Sequence, residues 1–256
     1  MSQVTTGYAA VNGLNMYYEV HGDESAAAPL VLLHGGLITI DLSFGDLLPD
    51  LAASRQLIAT ELQGHGRTAD IDRDIDLACL AGDVAGLLDH LGIDRADVLG
   101  FSLGGGVALQ FALDYPDRLG RLILASVSYA ADGFHSDISD PAQHATSTRM
   151  PTADDFRQMR EAYARLAPDP GHFEVFAAKC SHAANNQKGW TEEELGGITA
   201  PTLLVFGDHD FIRLEHAVRM HELIPGAQLA VLPGTTHMSL LRRTALIRPL
   251  IEEFLG

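Results

Sequence analysis

Lysine is almost missing from this chain of 256 residues, which has only Lys179 and Lys188. Neither follows a glycine, which excludes a phosphate-binding P-loop, and neither stands at a strand end suited to a Schiff base. Cysteine is as scarce. Cys79 and Cys180 cannot form a paired Cys-x-x-Cys site, and both fall in helical stretches, where buried thiols in a reducing compartment are expected. His-Glu-x-x-His and Gly-x-Gly-x-x-Gly are both lacking, so zinc and dinucleotide readings have no support, and neither metal nor cofactor is expected. No apolar run approaches the roughly 18 residues that a membrane span needs. No leader-like stretch precedes the first strand-like segment, so a cytoplasmic protein is expected. Positive charge is short overall, with 17 Lys and Arg against 34 Asp and Glu and a formal net charge of −17. That balance argues against nucleic acid or an anionic membrane as partner.

What the chain does have is an alternation of short apolar runs and helical periods. Tyr8–Val11 and Leu14–Val20 flank Asn12-Gly13, the strongest short signal for a hairpin. Pro29–Leu33 and Gln56–Thr60 read as strands buried on both faces, with a helix from Leu42 to Ser54 between them. Asp76–Leu91 carries a helical period with Leu77, Leu80, Val84, Leu87, Leu88 and Leu91 on one face. Ala96–Leu99 is a strand, Leu103–Leu113 a helix, and Arg121–Ala125 a further strand. The rhythm then breaks. From Ser128 to Thr199 only helical stretches are found, near Thr152–Leu166, Gly171–Asn185 and Trp190–Leu195. Strands return at Pro201–Phe206 and Gln228–Leu232, with helices at Leu214–Leu223 and Leu240–Leu255. This pattern predicts an α/β fold with a mostly parallel, doubly wound sheet. Its core is expected over residues 1–127 and 200–256, with residues 128–199 inserted after the sixth strand as a helical cap.

The stretch Gly100-Phe101-Ser102-Leu103-Gly104 joins a strand directly to a helix. A serine on so sharp a turn is lifted clear of the sheet, and larger side chains two positions either side would collide. The helix start behind it points free N–H groups at any negative charge forming there. A serine hydroxyl is too weak an acid to attack a carbonyl unaided, so a base oriented by an acid must be in reach. Two post-strand loops offer them. Gly234-Thr235-Thr236-His237 supplies the base, His237. Gly207-Asp208-His209-Asp210 supplies the acid, for which Asp210 is preferred and Asp208 suits a turn. Backbone N–H groups for the developing oxyanion are expected from Leu103 and from Gly36 in His34-Gly35-Gly36-Leu37, with His34 anchoring that loop. Candidate pocket residues are Leu37, Tyr129, Phe156, Phe176, Trp190 and Phe211.

These motifs, with Gly64-His65-Gly66-Arg67-Thr68, resemble the cap-bearing, esterase-like group of the α/β-hydrolase fold over Tyr8–Leu255. The resemblance implies Ser102 as nucleophile, His237 as general base, Asp210 as orienting acid, and an oxyanion hole from Gly36 and Leu103. It implies a cofactor-independent hydrolase of small or medium carboxylic esters or lactones, with that small molecule as partner; a homodimer is the assembly considered. The same layout also serves C–C bond hydrolases, lyases, perhydrolases and ligand-binding relatives. Serine at position 102 counts against haloalkane dehalogenases and epoxide hydrolases, which carry aspartate there. Three positions depart from the pattern: Glu61-Leu62-Gln63 replaces Asp-x-Arg, Leu214 replaces a proline, and no arginine is placed to select a carboxylate.

Overall fold

The computed structural model describes residues 4–24 and 27–256. β1 (Val4–Val11) and β2 (Leu14–His21) form the hairpin, and its Asn12 and Gly13 both take positive φ, 47° and 86°. The mirror-image turn this makes matches the twist of the flanking strands. There follow β3 (Leu30–Leu33), α1 (Ile40–Phe44), α2 (Leu48–Leu51), β4 (Leu57–Thr60), α3 (Leu77–Leu91), β5 (Ala96–Phe101), α4 (Leu103–Asp114) and β6 (Leu119–Ala125). The one helix expected over 42–54 is two short ones. Gly45 closes the first on the Asp41 carbonyl, and Pro49, which has no N–H to give, sits in the first turn of the second.

Beyond β6 come α5 (Ser136–Ser139), α6 (Ala153–Leu166), α7 (Phe173–Asn186) and α8 (Glu192–Gly196), then β7 (Thr202–His209), α9 (Leu214–Leu223), β8 (Gln228–Thr236) and α10 (Thr244–Leu255). Among the described residues no strand lies between β6 and β7. Thr152 and Thr191 start α6 and α8 with reciprocal capping boxes to Asp155 and Glu194, each satisfying otherwise orphan N–H groups.

The eight strands form one sheet in the order β1-β2-β4-β3-β5-β6-β7-β8, antiparallel at β1–β2 and β2–β4 and parallel from there on. Period-two alternation divides its side chains between two cores. Val31, Leu33, Val98, Leu122, Leu124, Leu204 and Phe206 face α3, α4 and α9. Leu30, Leu32, Leu99, Ile123, Leu203 and Val205 face α1, α2 and α10. Each fully buried Leu, Ile, Val or Phe is worth roughly 1.5–3 kcal/mol, so register is strongly fixed: a one-residue slip would exchange the two faces. Cys79 is exposed and not buried as expected. It lies off the Leu80/Val84/Leu87/Leu88 stripe of α3.

Candidate active site

The parallel strands all end on one edge, and each loop leaving that edge contributes to a single cluster. At the end of β5, Ser102 has φ 53° and ψ −114°, a region a side chain rarely enters. Its flanking glycines are forced by space. A Cβ on Gly100 would stand 2.1 Å from the Gly104 carbonyl oxygen, and one on Gly104 would stand 2.2 Å from that of Leu33. Leu37 after β3 (φ 62°) and Ser126 after β6 (φ 51°) are likewise non-glycine residues in the left-handed region. Three such residues at neighbouring strand ends mark this edge as the place where the fold holds strain.

Ser102 Oγ lies 3.0 Å from His237 Nε2, and His237 Nδ1 lies 2.8 Å from Asp210 Oδ1. The Asp210 carboxylate is buried, and every acceptor face of it is used. Oδ1 also takes the Phe211 N–H at 2.7 Å. Oδ2 takes the Gly207 N–H at 3.2 Å and the Ser126 hydroxyl. Burial disfavours the charged carboxylate. The charge and hydrogen bond of His237, with those of Ser126 and Gly207, outweigh that and hold Asp210 below the usual carboxylate range. The His237 ring is stacked on Phe211, with centroids 3.9 Å apart and planes 7° apart, and has Phe101 on it at 5.0 Å. Ring orientation is thus set by packing as well as by the carboxylate. Such a row can pass a proton from the serine hydroxyl to Nε2 while the ring keeps its charge balanced by Asp210.

Asp208 has a different place. Its oxygens accept the N–H groups of Gly234 and Thr235, both at 2.9 Å, tying the end of β7 to the end of β8, which His237 directly follows.

Opposite the serine, Leu103 opens α4, so its N–H has no carbonyl one turn back to bond to. Gly36 lies alongside; a Cβ there would first meet Leu103, at 3.8 Å. Two buried histidines fix the peptides around Gly36. His34 Nε2 accepts the Leu62 N–H at 3.0 Å, so its Nδ1 carries the proton and donates to the Gly35 carbonyl at 2.8 Å. The trans peptide then points the Gly36 N–H the opposite way. His65 Nε2 accepts the Leu37 N–H at 3.0 Å while its Nδ1 donates to Gln63 O at 3.0 Å. Burial lowers His34 to about 4 and takes His65 well below its ordinary value, so both rings stay neutral and keep these tautomers.

The six candidate pocket residues fall in different places. Leu37 and Phe211 adjoin the cluster. Phe176 is fully buried with its ring against Gly64 and His65. Tyr129 stacks on His216, with centroids 4.3 Å apart. Trp190 donates from Nε1 to Gln110 at 2.8 Å, on the flank of α4. Phe156 is 44% exposed, because α6 turns Met159, Ala162 and Tyr163 inward. Two cavities, of about 130 and 450 Å³, lie around Asp70 and His172 and do not touch Ser102. Ser126 is not among the sequence candidates, and Phe101 and His65 stand in the quoted motifs without an assigned role. A serine directly after an apolar strand and a histidine between two glycines were the available signals. Among the described residues no cluster of His, Cys, Asp and Glu could hold a metal ion, and no helix is long and apolar enough to cross a membrane.

Comparison with known proteins agrees with this architecture. A family model described as alpha/beta hydrolase fold matches residues 28–172. The chain is 29% identical to the 2-hydroxymuconate semialdehyde hydrolase of Pseudomonas sp. strain CF600 over 91% of this chain and 89% of that one. Among solved structures, the enol-lactonase of Burkholderia xenovorans LB400 superposes with a TM-score of 0.74 at 22% identity, covering 97% and 99% of the two chains. Carboxylesterase CesB of Bacillus subtilis does so with a TM-score of 0.73 at 22% identity, covering 100% and 92%. At these identities the structural likenesses concern the fold.

Proposed function

The chain belongs to the α/β-hydrolase fold family, and within it we propose a cofactor-independent serine hydrolase that cleaves small or medium carboxylic esters or lactones. The observation that carries this reading is the unbroken row from Asp210 through His237 to Ser102, at 2.8 and 3.0 Å, with the serine on a strained strand-to-helix turn. In the proposed mechanism Ser102 Oγ attacks the carbonyl carbon as His237 Nε2 takes its proton. The oxyanion is met by the N–H groups of Gly36 and Leu103. Collapse expels the alcohol, protonated by His237, and leaves Ser102 acylated. Water, deprotonated by His237, then releases the acid. Asp210 stays ionised throughout and balances the imidazolium. Residues 128–199 act as a cap unit over the strand ends, and the reaction is cytoplasmic.

A second reading keeps the same residues and cleaves a C–C bond. It is favoured by relatives such as the 2-hydroxy-6-oxo-2,4-heptadienoate hydrolase of Pseudomonas putida, whose named substrate is a carboxylate. The charge layout supports the first reading instead. Every lysine and arginine except Arg165 and Lys188 is paired with a carboxylate or bonded to a backbone carbonyl, and those two are exposed. Among the described residues this leaves an apolar surround of Phe101, Phe211, Leu37 and Leu103 for the substrate, which suits an uncharged one.

Intact-mass analysis after exposure to a fluorophosphonate tests the nucleophile. One adduct on the parent and none on Ser102→Ala is expected; an equal adduct on both, or none on the folded parent, overturns the assignment. A panel of p-nitrophenyl esters, lactones and dienoates then separates the two readings.

A further inference from the structure

We propose that cap helix α7 sets the oxyanion loop through Phe176 and His65, so that Phe176 is a positioning residue for the hydrolytic site. This rests on the serine-hydrolase reading above. Phe176 is fully buried, and the Cδ2–Cε2 edge of its ring presses on Gly64, where a Cβ would stand 2.3 Å from it. Only glycine allows so close an approach at that point. The ring meets His65 edge-on, with centroids 4.7 Å apart and planes 86° apart. His65 in turn takes the Leu37 N–H on Nε2 at 3.0 Å, and Leu37 is held at φ 62° beside Gly36.

The contact between α7 and this loop is anchored a second time, one turn along the helix. Lys179 Nζ donates to both oxygens of Asp70, at 2.9 and 3.0 Å, and to the Ile71 carbonyl at 2.8 Å. Behind Phe176, Tyr163 of α6 stacks at 5.8 Å. The consequence is directional. With α7 seated, His65 cannot rotate away from Leu37, and the peptides flanking Gly36 keep their orientation. With α7 lifted, the ring loses its packing partner and Leu37 can leave a strained conformation. Phe176 therefore acts on the stabilisation of a transient oxyanion and not on the binding of neutral ester, which predicts a loss in kcat with KM little changed.

The test compares parent, Phe176→Ala, Phe176→Leu, His65→Leu, His65→Gln and the Phe176→Ala/His65→Leu double variant on p-nitrophenyl acetate. Fluorophosphonate labelling and cooperative thermal unfolding are recorded for each. Val175→Ala, exposed on the same helix, is the control. Phe176→Ala and His65→Leu should each lower kcat by about tenfold or more, up to the roughly 10²–10³ that outright loss of one oxyanion donor costs, with KM within about twofold. Their combination should cost no more than the larger single loss, because both act through one contact. His65→Gln, which restores an acceptor for Leu37, should recover most of kcat. If Phe176→Ala does not unfold cooperatively, Phe176→Leu is read in its place: it keeps most of the volume and removes the ring edge. A folded Phe176 variant with parental kcat, independent losses that multiply, or no rescue by glutamine overturns the coupling while the labelled parent leaves the nucleophile intact. A folded parent that takes no label overturns both.

Discussion

Replacing Asp210 by asparagine changes one oxygen to an amide with almost no change of shape, and the surroundings determine what that does. Oδ1 accepts His237 Nδ1–H and the Phe211 N–H, and Oδ2 accepts the Gly207 N–H and the Ser126 hydroxyl. An NH₂ at the first position faces Nδ1 and forces the imidazole proton onto Nε2, where it can no longer accept from Ser102. At the second position the NH₂ opposes the fixed Gly207 N–H, and only the Ser126 hydroxyl can turn to accommodate it. Either way the compensating negative charge is lost. The expected fall in kcat is about 10³–10⁴, or roughly 4–5.5 kcal/mol of transition-state stabilisation, with a smaller effect on KM. Steady-state turnover of p-nitrophenyl butyrate from pH 6 to 10 measures it, beside Asp208→Asn as the neighbouring control. Asp208 grips Gly234 and Thr235, so its replacement should loosen the His237 loop and cost less. If Asp210→Asn keeps activity within about tenfold while Asp208→Asn abolishes it, the assignment of the acid is wrong.

Gly104→Ala should destabilise the protein by about 3 kcal/mol or more, because the new Cβ meets two backbone oxygens, of Leu33 at 2.2 Å and His34 at 2.6 Å. Gly36→Ala, which first meets Leu103 at 3.8 Å, should melt near the parent. Equal urea midpoints for the two would refute the steric argument. The second expectation concerns pH. His34 is lowered from 6.5 to about 4, so between those values the unfolded chain binds the proton that the folded chain refuses. Stability is full above about pH 6.5 and falls as pH drops toward 4, by about 3 kcal/mol from this group at most. Urea unfolding at pH 7 and pH 4.5 should show a smaller difference for His34→Asn than for the parent; an unchanged difference would count against the neutral, buried ring.

The sheet and its order of elements could be read from the sequence because buried parallel strands are continuous apolar runs and the helices between them keep a regular period. The chemistry-bearing loops were legible for a related reason. Glycines punctuate strand ends, and Gly100 and Gly104 stand where any larger residue would strike backbone. The helices of residues 128–199 were legible as helices but not as a surface. Phe156 and Phe176 both looked like pocket aromatics, yet one is 44% exposed and the other fully buried against His65. Which face of α6 or α7 meets the core depends on how the helices dock, and local periodicity does not encode a docking angle. Ser126 escaped for a different reason. Its role arises from a left-handed backbone and from a carboxylate 84 positions away in sequence, and neither can be read from its neighbours.

The separation between Ser102 and His237, 135 positions, has a consequence for the life of the chain. On the ribosome the serine turn is made first, and β8, which delivers the imidazole, follows only after the helices of residues 128–199. Until β8 pairs with β7 the hydroxyl has no imidazole beside it, and on the proposed mechanism it stays an ordinary alcohol. Helix α10 packs on the same sheet, tied back by Arg55 to the Leu255 carbonyl and by Arg121 to that of Phe254. On the proposed mechanism, reactivity at residue 102 is thus a property of the folded sheet, and a molecule without β8 would keep the serine turn and lack the base.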